Sequence, residues 1–249
     1  MIVGINYVGG LSSLTARSFY FAFRPPINVG QIFQQANFVG VNSFFIVSLV
    51  SLFTGVVLAL QSAYALQKFS GELYVAGLVA LSMTRELGPV LTALVIAGRV
   101  GAAISAELGT MKVTEQIDAL ETLATNPVRY LVTPRLIALM IMLPILTVYA
   151  DLIGMLGGYL VAVFKLGIGH SMYIKMTFDS LVLKDVFTGL FKSFFFGIIV
   201  AIVGCYEGLI TEGGAEGVGK STTLAVVISF VLIIASDCLF TAFFYFVIG

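Results

Sequence analysis

The stretch that decides the fold is residues 222–240, TTLAVVISFVLIIASDCLF, in which Asp237 is the single charged side chain. A helix needs about 20 consecutive apolar residues to cross the hydrocarbon core of a bilayer. The preceding apolar stretch, residues 191–210, reads FKSFFFGIIVAIVGCYEGLI and has a similar length. These two stretches therefore predict two consecutive transmembrane helices joined by a short link.

The link contains a match to a nucleotide-binding motif. Residues 213–223 read GGAEGVGKSTT, in which Gly214, Gly219, Lys220 and Ser221 match the P-loop pattern G-x-x-x-x-G-K-[ST]. A working P-loop lies between a buried β-strand and a helix, and a second strand ends in an Asp that holds magnesium. Both flanking segments here have transmembrane length instead. We interpret the match as a false positive and predict no catalytic residue and no bound cofactor in this chain.

The composition of the whole chain is that of an integral membrane protein. Of its 249 residues, 59% are hydrophobic and only 10% are charged, and the mean hydropathy is +1.06. Soluble domains carry about 25% charged residues. The net charge is zero, so nothing indicates a nucleic-acid partner. Two cysteines in apolar runs, Cys205 and Cys238, and one histidine, His170, form no disulfide framework and no metal-ligand spacing.

The pattern predicts an all-α integral membrane protein with five transmembrane helices, an N-terminal interfacial helix and a short cytoplasmic coupling helix. The predicted spans lie at about 38–66, 74–105, 136–164, 186–210 and 223–248. Residues 1–30 are predicted to lie on the membrane surface, with a polar tail as the alternative, and residues 31–249 to form one transmembrane domain. The distribution of Lys and Arg predicts a cytoplasmic N-terminus and a C-terminus on the far side.

A polar insert separates the second and third predicted spans. Within it, residues 114–127 read TEQIDALETLATNP and predict a short helix at about 114–125, capped by Thr114 and ended by Asn126–Pro127. Its apolar face carries Ile117, Leu120 and Leu123, and its acidic face carries Glu115, Asp118 and Glu121. Two interpretations are open: a helix that transmits force from a soluble motor to a transporter, or an ordinary interfacial loop helix.

The region around this insert resembles the signature region of the MlaE-type permease family, the membrane subunits of ABC transporters that serve MCE-domain lipid carriers. The motifs that carry the resemblance are RELGP at 85–89, AGRVGAA at 97–103, AELGTM at 106–111, EQIDALE at 115–121 and NPVRYLVTPR at 126–135. The GAEGVG turn before the last span is similar as well. The resemblance extends from about the first span to the C-terminus.

The resemblance implies a homodimer with an MCE protein on the far side, in the inner membrane of a Gram-negative bacterium or in a plastid envelope. Two separate ATPase subunits would carry the ATP and Mg, and the complex would move phospholipid between the inner membrane and the outer envelope. The short helix would be the coupling helix that contacts the ATPase, through Glu115, Gln116, Ile117, Asp118, Leu120 and Glu121. The lipid pathway would be lined by Leu58, Gln61, Leu66 and Phe69.

Two charges, Arg85 and Glu86, lie inside the second predicted span, just before Pro89. A charge within a span costs roughly 2.5–3.5 kcal/mol on insertion scales, so each needs a partner or a water-filled cavity. Pro89 lacks a backbone donor and predicts a bend or break of the helix. Either the two charges border the lipid pathway, or they form structural ion pairs, for which the possible partners are Lys192, Asp151 and Asp237. An ion-coupled carrier or channel that uses the intramembrane charges is the alternative function.

Small residues recur every four positions in two of the spans, a spacing that allows close helix approach. They are Ala97, Gly101, Ser105 and Gly109, and then Gly154 and Gly158. Two interpretations of these small residues are open: close helix packing within one subunit, or a contact surface between the two subunits of a dimer.

Overall fold

The computed structural model describes residues 2–24, 28–67 and 71–248, with the side chains of residues 6–24, 28–67, 71 and 73–246. Among these residues the chain is helical and contains no strand, which confirms the predicted all-α class. The predicted pathway residue Phe69 and the Pro25–Pro26 pair lie outside the described residues.

Eleven α-helices are present in the described ranges. They are α1 (Ile2–Ala22), α2 (Val29–Gly40), α3 (Phe44–Gln67), α4 (Val75–Ser82), α5 (Gly88–Ile96), α6 (Ala102–Val113), α7 (Gln116–Thr122), α8 (Thr133–Phe164), α9 (His170–Ser180), α10 (Leu183–Leu209) and α11 (Gly214–Ile248). Short 3-10 turns lie at Val41–Ser43 and Glu72–Tyr74, and π-helical turns lie at Met83–Leu87, Ala97–Gly101 and Val128–Val132.

Five helical stretches are long and apolar enough to cross a membrane, as predicted. They are Val29–Gln67, Val75–Val113, Val128–Phe164, Leu183–Leu209 and Gly214–Phe246. The N-terminal segment forms the helix α1, so the alternative of a polar tail is wrong.

The second span stays helical through Pro89, so the predicted break is absent. Directly before α5, the π turn Met83–Leu87 widens the helix, and the backbone N–H of Gly88 donates to the carbonyl of Met83. A π turn adds one residue to a helix without interrupting it and often occurs at functional sites. Two adjacent charges of the span, Arg85 and Glu86, lie within this turn.

The chain divides into two compact units. The first consists of Met1–Ser43, Ala93–Leu143 and Phe194–Leu239, and the second of Phe44–Thr92, Pro144–Ser193 and Phe240–Gly249. Each of the five spans contributes residues to both units. The single transmembrane domain expected over residues 31–249 stays a prediction.

In the second unit, α3 and α8 approach each other at glycines. A Cβ atom on Gly55 would overlap the backbone carbonyl of Gly154, and one on Gly157 would overlap the carbonyl of Leu52. A Cβ atom on Gly158 would crowd Val79 of the same unit. The stripe of Gly154 and Gly158 therefore serves packing within one subunit.

This close approach predicts a position-specific effect of one added methyl group. Gly55→Ala should destabilise the protein by about 1–3 kcal/mol, because a backbone carbonyl cannot move aside as a flexible side chain can. Gly98→Ala is the matched control, since nothing lies within 4 Å of a Cβ atom built there, and alanine favours the helix by about 1 kcal/mol over glycine. Thermal aggregation of the two variants in detergent measures the difference. Equal stability of the two variants would contradict the packing described here.

Candidate functional site

The short helix α7 is held between two residues with left-handed backbone conformation. Glu115 precedes it with φ 60°, and Ala124 follows it with φ 57°. Each non-glycine residue in this region costs roughly 1–2 kcal/mol, so the surrounding structure enforces both turns. The predicted cap at Thr114 is wrong: this residue ends α6, and its hydroxyl donates to the carbonyl of Thr110 at 2.8 Å.

One side of α7 packs inward and the other is exposed. Ile117 is buried and Leu120 half-buried. The exposed side, hereafter the coupling face, consists of Glu115, Gln116, Asp118 and Glu121. All six residues predicted to contact the ATPase therefore lie on α7 or directly before it. The two apolar residues among them point inward.

Two polar contacts fix α7 relative to α6. Lys112 Nζ lies 2.8 Å from Asp118 Oδ1, and Gln116 Nε2 donates to Thr114 Oγ1 at 3.1 Å. Leu123, predicted on the apolar face, is 75% exposed, because α7 ends at Thr122 and the chain turns away. The coupling face is thus a small acidic surface with an exposed leucine beside it.

Four charged residues of the second unit form two ion pairs. Arg85 Nη2 lies 2.6 Å from Asp185 Oδ1, and Glu86 Oε2 lies 2.6 Å from Lys192 Nζ. Lys192 also donates to Thr241 Oγ1 at 2.7 Å, and that hydroxyl donates to Glu86 Oε1 at 3.0 Å. Lys192 was among the predicted partners; Asp185 was not.

These residues line a cavity of about 200 Å³, hereafter the charged cavity. The lining residues are Arg85, Glu86, Lys184, Asp185, Thr188, Lys192, Thr241, Phe244 and Tyr245. Asp185 and Lys192 are buried, whereas the side chains of Arg85 and Glu86 are 54% and 40% exposed. The structure therefore gives both charges a partner and leaves part of each accessible from the cavity. The predicted partner Asp151 lies elsewhere, against Gly88.

An apolar groove lies along α3 in the same unit. It has a volume of about 300 Å³ and is lined by Phe53, Thr54, Val57, Leu58, Gln61 and Leu87. It thus contains two of the predicted pathway residues, Leu58 and Gln61. Leu66 is not among its lining residues and packs instead against the core of Ala59, Ala63, Val75, Val79, Met83 and Val161.

In the first unit, α1 contacts the end of α10 through a hydrogen bond and a pair of aromatic rings. The Tyr7 hydroxyl donates to Glu207 Oε1 at 2.5 Å, and the Tyr7 ring packs edge-on against Tyr206 with 5.1 Å between centroids. Burial, and then the adjacent Glu207 carboxylate, raise the pKa of Tyr7 above its ordinary value. The phenol therefore stays a hydrogen-bond donor at neutral and mildly alkaline pH. Sequence reasoning missed this contact, which joins residues far apart in the chain.

We expect Tyr7→Phe to loosen α1. Glu207 is buried, and removing the donor of a buried charged acceptor costs roughly 1–3 kcal/mol. Trypsin should therefore cleave the variant faster after Arg17, which is followed by Ser18. Tyr20→Phe is the control, because Tyr20 is half-exposed on the same helix and Phe retains the ring beneath Arg24. Unchanged cleavage of Tyr7→Phe would show that the hydroxyl does not hold α1.

The comparison with known proteins agrees with this architecture. Residues 32–243 match the family described as Permease MlaE. The chain belongs to the MlaE permease family. This confirms the resemblance seen in the signature motifs, and an MlaE-family permease is the membrane component of an ABC transporter.

The relatives of this MlaE-family permease include bacterial proteins and a chloroplastic protein. It is 50% identical over 218 residues to a probable ABC transporter permease protein of Rickettsia typhi, covering 88% of this chain and 84% of that protein. It is 46% identical over 224 residues to one of Synechocystis, covering 90% and 85%. It is 38% identical over 212 residues to the chloroplastic protein TRIGALACTOSYLDIACYLGLYCEROL 1 of Arabidopsis thaliana, covering 85% and 61%.

Proposed function

We propose that this MlaE-family permease moves phospholipid between the inner membrane and the outer envelope, driven by a separate ATPase that docks on α7. The observation that carries the proposal is the coupling face on α7. This helix lies between the end of the second span, at Val113, and the start of the third, at Val128. A force applied to α7 would reach both spans through turns of only a few residues.

The second unit supports a lipid as the substrate. Its apolar groove suits acyl chains, and its charged cavity suits a headgroup that carries a phosphate. The two are linked by adjacent residues, because Glu86 lines the cavity and Leu87 lines the groove. The name of the Arabidopsis relative contains the name of a galactolipid, which agrees with a lipid substrate.

We place the ATP and magnesium on the partner ATPase rather than in this chain. Residues 214–221 form the first turns of α11, and the turn before it comes from Gly213 and Gly214, with φ +86° and +71°. Lys220 Nζ lies 2.6 Å from Glu216 Oε1 one turn earlier. A helical backbone with its lysine in an ion pair supports a chance match to the P-loop pattern.

The rest of the proposed assembly follows the family resemblance. We propose a homodimer with two ATPase subunits and an MCE-domain protein on the far side. The N-terminus and α7 would lie on the cytoplasmic side of the inner membrane, and the C-terminus on the other.

The alternative is an ion-coupled carrier, and one observation favours it. Asp151 is buried within the third span, and its Oδ1 atom has no hydrogen-bond partner among the described residues. An intramembrane carboxylate of this kind suits a proton relay. Arg85 and Glu86, however, already have fixed partners, which leaves the relay with few members.

A native mass spectrum of the complex copurified in gentle detergent tests the proposal. We expect two copies of this chain, two ATPase subunits and bound phospholipid, and ATP-dependent phospholipid movement after reconstitution with the ATPase. Lys220→Gln should leave nucleotide binding by the complex unchanged. A lone chain that binds ATP and loses it in Lys220→Gln would overturn the proposal, as would transport driven by an ion gradient without ATP.

A further inference from the structure

The first unit contains a cavity of about 370 Å³ that the proposed transport pathway does not use. Its walls come from the end of α1, the start of α2 and the chain that follows α7. Phe21, Ile32 and Ile137 contribute apolar surface, while Gln31, Asn126 and Arg129 contribute polar groups. The cavity therefore presents both an apolar and a polar wall to one occupant.

The polar wall is arranged to receive a phosphate and a hydroxyl group. Arg129 supplies a guanidinium, the side chain best suited to bind phosphate. The Asn126 side-chain oxygen accepts the amides of Val128 and Arg129 at 3.0 and 3.3 Å, which leaves its NH₂ group to donate. The Gln31 Oε1 atom is buried and has no hydrogen-bond partner among the described residues. A donor from the occupant would satisfy this acceptor.

One arginine lines the cavity, and two more lie near it. Arg129 Nη2 donates to the Arg24 carbonyl at 3.4 Å, and the Arg24 guanidinium lies 4.5 Å from the Tyr20 ring centroid. A neighbouring cavity of about 400 Å³ contains Arg17 and shares Phe21 and Asn126 with the first. None of the described residues that line the two cavities is acidic. The surface selects an anion.

The cavity lies at the ends of two candidate membrane spans. Asn28 directly precedes the first span, which starts at Val29, and the third span starts at Val128. The polar groups thus lie at the ends of two spans, and the apolar wall continues into them through Ile32 and Ile137. Basic pockets between transmembrane helices are where anionic lipid headgroups bind.

We propose that this cavity holds a resident anionic phospholipid whose headgroup carries a hydroxyl, with its phosphate on Arg129 and its hydroxyl on Gln31. This lipid is distinct from the one that is transported, and its binding requires neither the ATPase nor transport. Because Ala124 and Thr125 also line the cavity, the lipid joins α1 and α2 to the turn that ends α7.

Native mass spectrometry of the purified permease alone tests this site. Phosphatidylglycerol and phosphatidylcholine with the same acyl chains would be added in parallel, and inorganic phosphate in a third series. We expect one phosphatidylglycerol per chain, bound at least about tenfold more tightly than phosphatidylcholine, and no displacement by millimolar phosphate. Equal retention of the two lipids, or displacement by phosphate, would overturn the proposal.

Matched variants locate the bound lipid. Arg129→Gln should weaken phosphatidylglycerol binding by about tenfold, whereas Lys220→Gln, which removes the same charge from an exposed surface, should not. Gln31→Met retains the side-chain volume, should fold even if Arg129→Gln does not, and should reduce the preference for phosphatidylglycerol. Leu58→Trp, which fills the apolar groove of the second unit, should leave this binding intact. Binding lost in Leu58→Trp but retained in Gln31→Met would place the lipid in the transport pathway and overturn the proposal.

Discussion

Glu86→Leu is expected to destabilise the permease by about 1–3 kcal/mol, because the buried Lys192 ammonium loses a hydrogen-bonded carboxylate that is itself 40% exposed. The side chain of Lys192 is 2% exposed and donates to both Glu86 and Thr241. After the substitution its ammonium group would lack this carboxylate in a membrane-spanning segment. Heating the detergent-solubilised variant, followed by size-exclusion chromatography of the remaining monodisperse protein, measures the loss as a lower midpoint temperature.

The double variant Glu86→Leu with Lys192→Met is the control for this prediction. Replacing both members of a buried ion pair by apolar side chains is often neutral for stability, so the double variant should recover most of the lost stability. If it is as unstable as Glu86→Leu, the cost comes from lost packing at residue 86 and not from the loss of the carboxylate beside Lys192.

The same pair of variants separates the two interpretations of Glu86. A purely structural ion pair predicts that ATP-driven lipid transport returns together with stability in the double variant. A role in the lipid pathway predicts a stable double variant that transports poorly. We expect the second result, because 40% of the Glu86 side chain is exposed and it lines the charged cavity.

The spans were predictable because each is a long apolar stretch, and bilayer thickness alone sets the required length. The local geometry within them was not. Pro89 predicted a bend or a break, and the π turn before α5 keeps the helix continuous, without a break. Glu115 and Ala124 adopt left-handed conformations, although turns of this kind are normally signalled by glycine. Neither glutamate nor alanine is a local signal for such a turn, so the sequence pattern could not reveal them.

Long-range contacts of the site were predictable only where the chemistry left few choices. Lys192 was a possible partner of Glu86 because it has the opposite charge and also lies inside a predicted span. Asp185 was missed because it was assigned to the loop before the fourth span, whereas α10 begins at Leu183 and contains it. The contact between Tyr7 and Glu207 joins two residues that are each unremarkable locally. The sequence motifs were enough to indicate the family, whereas the pairs of contacting residues were visible only in the structure.

Reversing the charge of the coupling face should abolish association with the ATPase. In the triple variant Glu115→Lys, Asp118→Lys and Glu121→Lys, three exposed carboxylates become cations. Like charges brought together at an interface cost several kcal/mol, so we expect at least about a hundredfold weaker binding. Titration of the purified ATPase onto the permease in lipid nanodiscs measures this change.

Folding and membrane insertion should survive this triple substitution. Asp118 pairs with Lys112, but both side chains are solvent-accessible, and exposed ion pairs contribute little to stability. Ile117 and Leu120, which anchor the inner side of α7, remain in place. The elution volume and thermal midpoint of the variant should therefore equal those of the unmodified chain.

A matched pair of single variants distinguishes docking on α7 from a general effect of charge. Glu121→Lys and Asp179→Lys make similar changes on exposed surfaces of α7 and α9. Only Glu121→Lys should weaken ATPase binding if α7 is the docking element. Equal weakening by both would point to a nonspecific charge effect, and intact ATP-driven transport by the triple variant would rule out coupling through α7. In that case α7 would be an ordinary interfacial helix, and another cytoplasmic surface would have to receive the force of ATP hydrolysis.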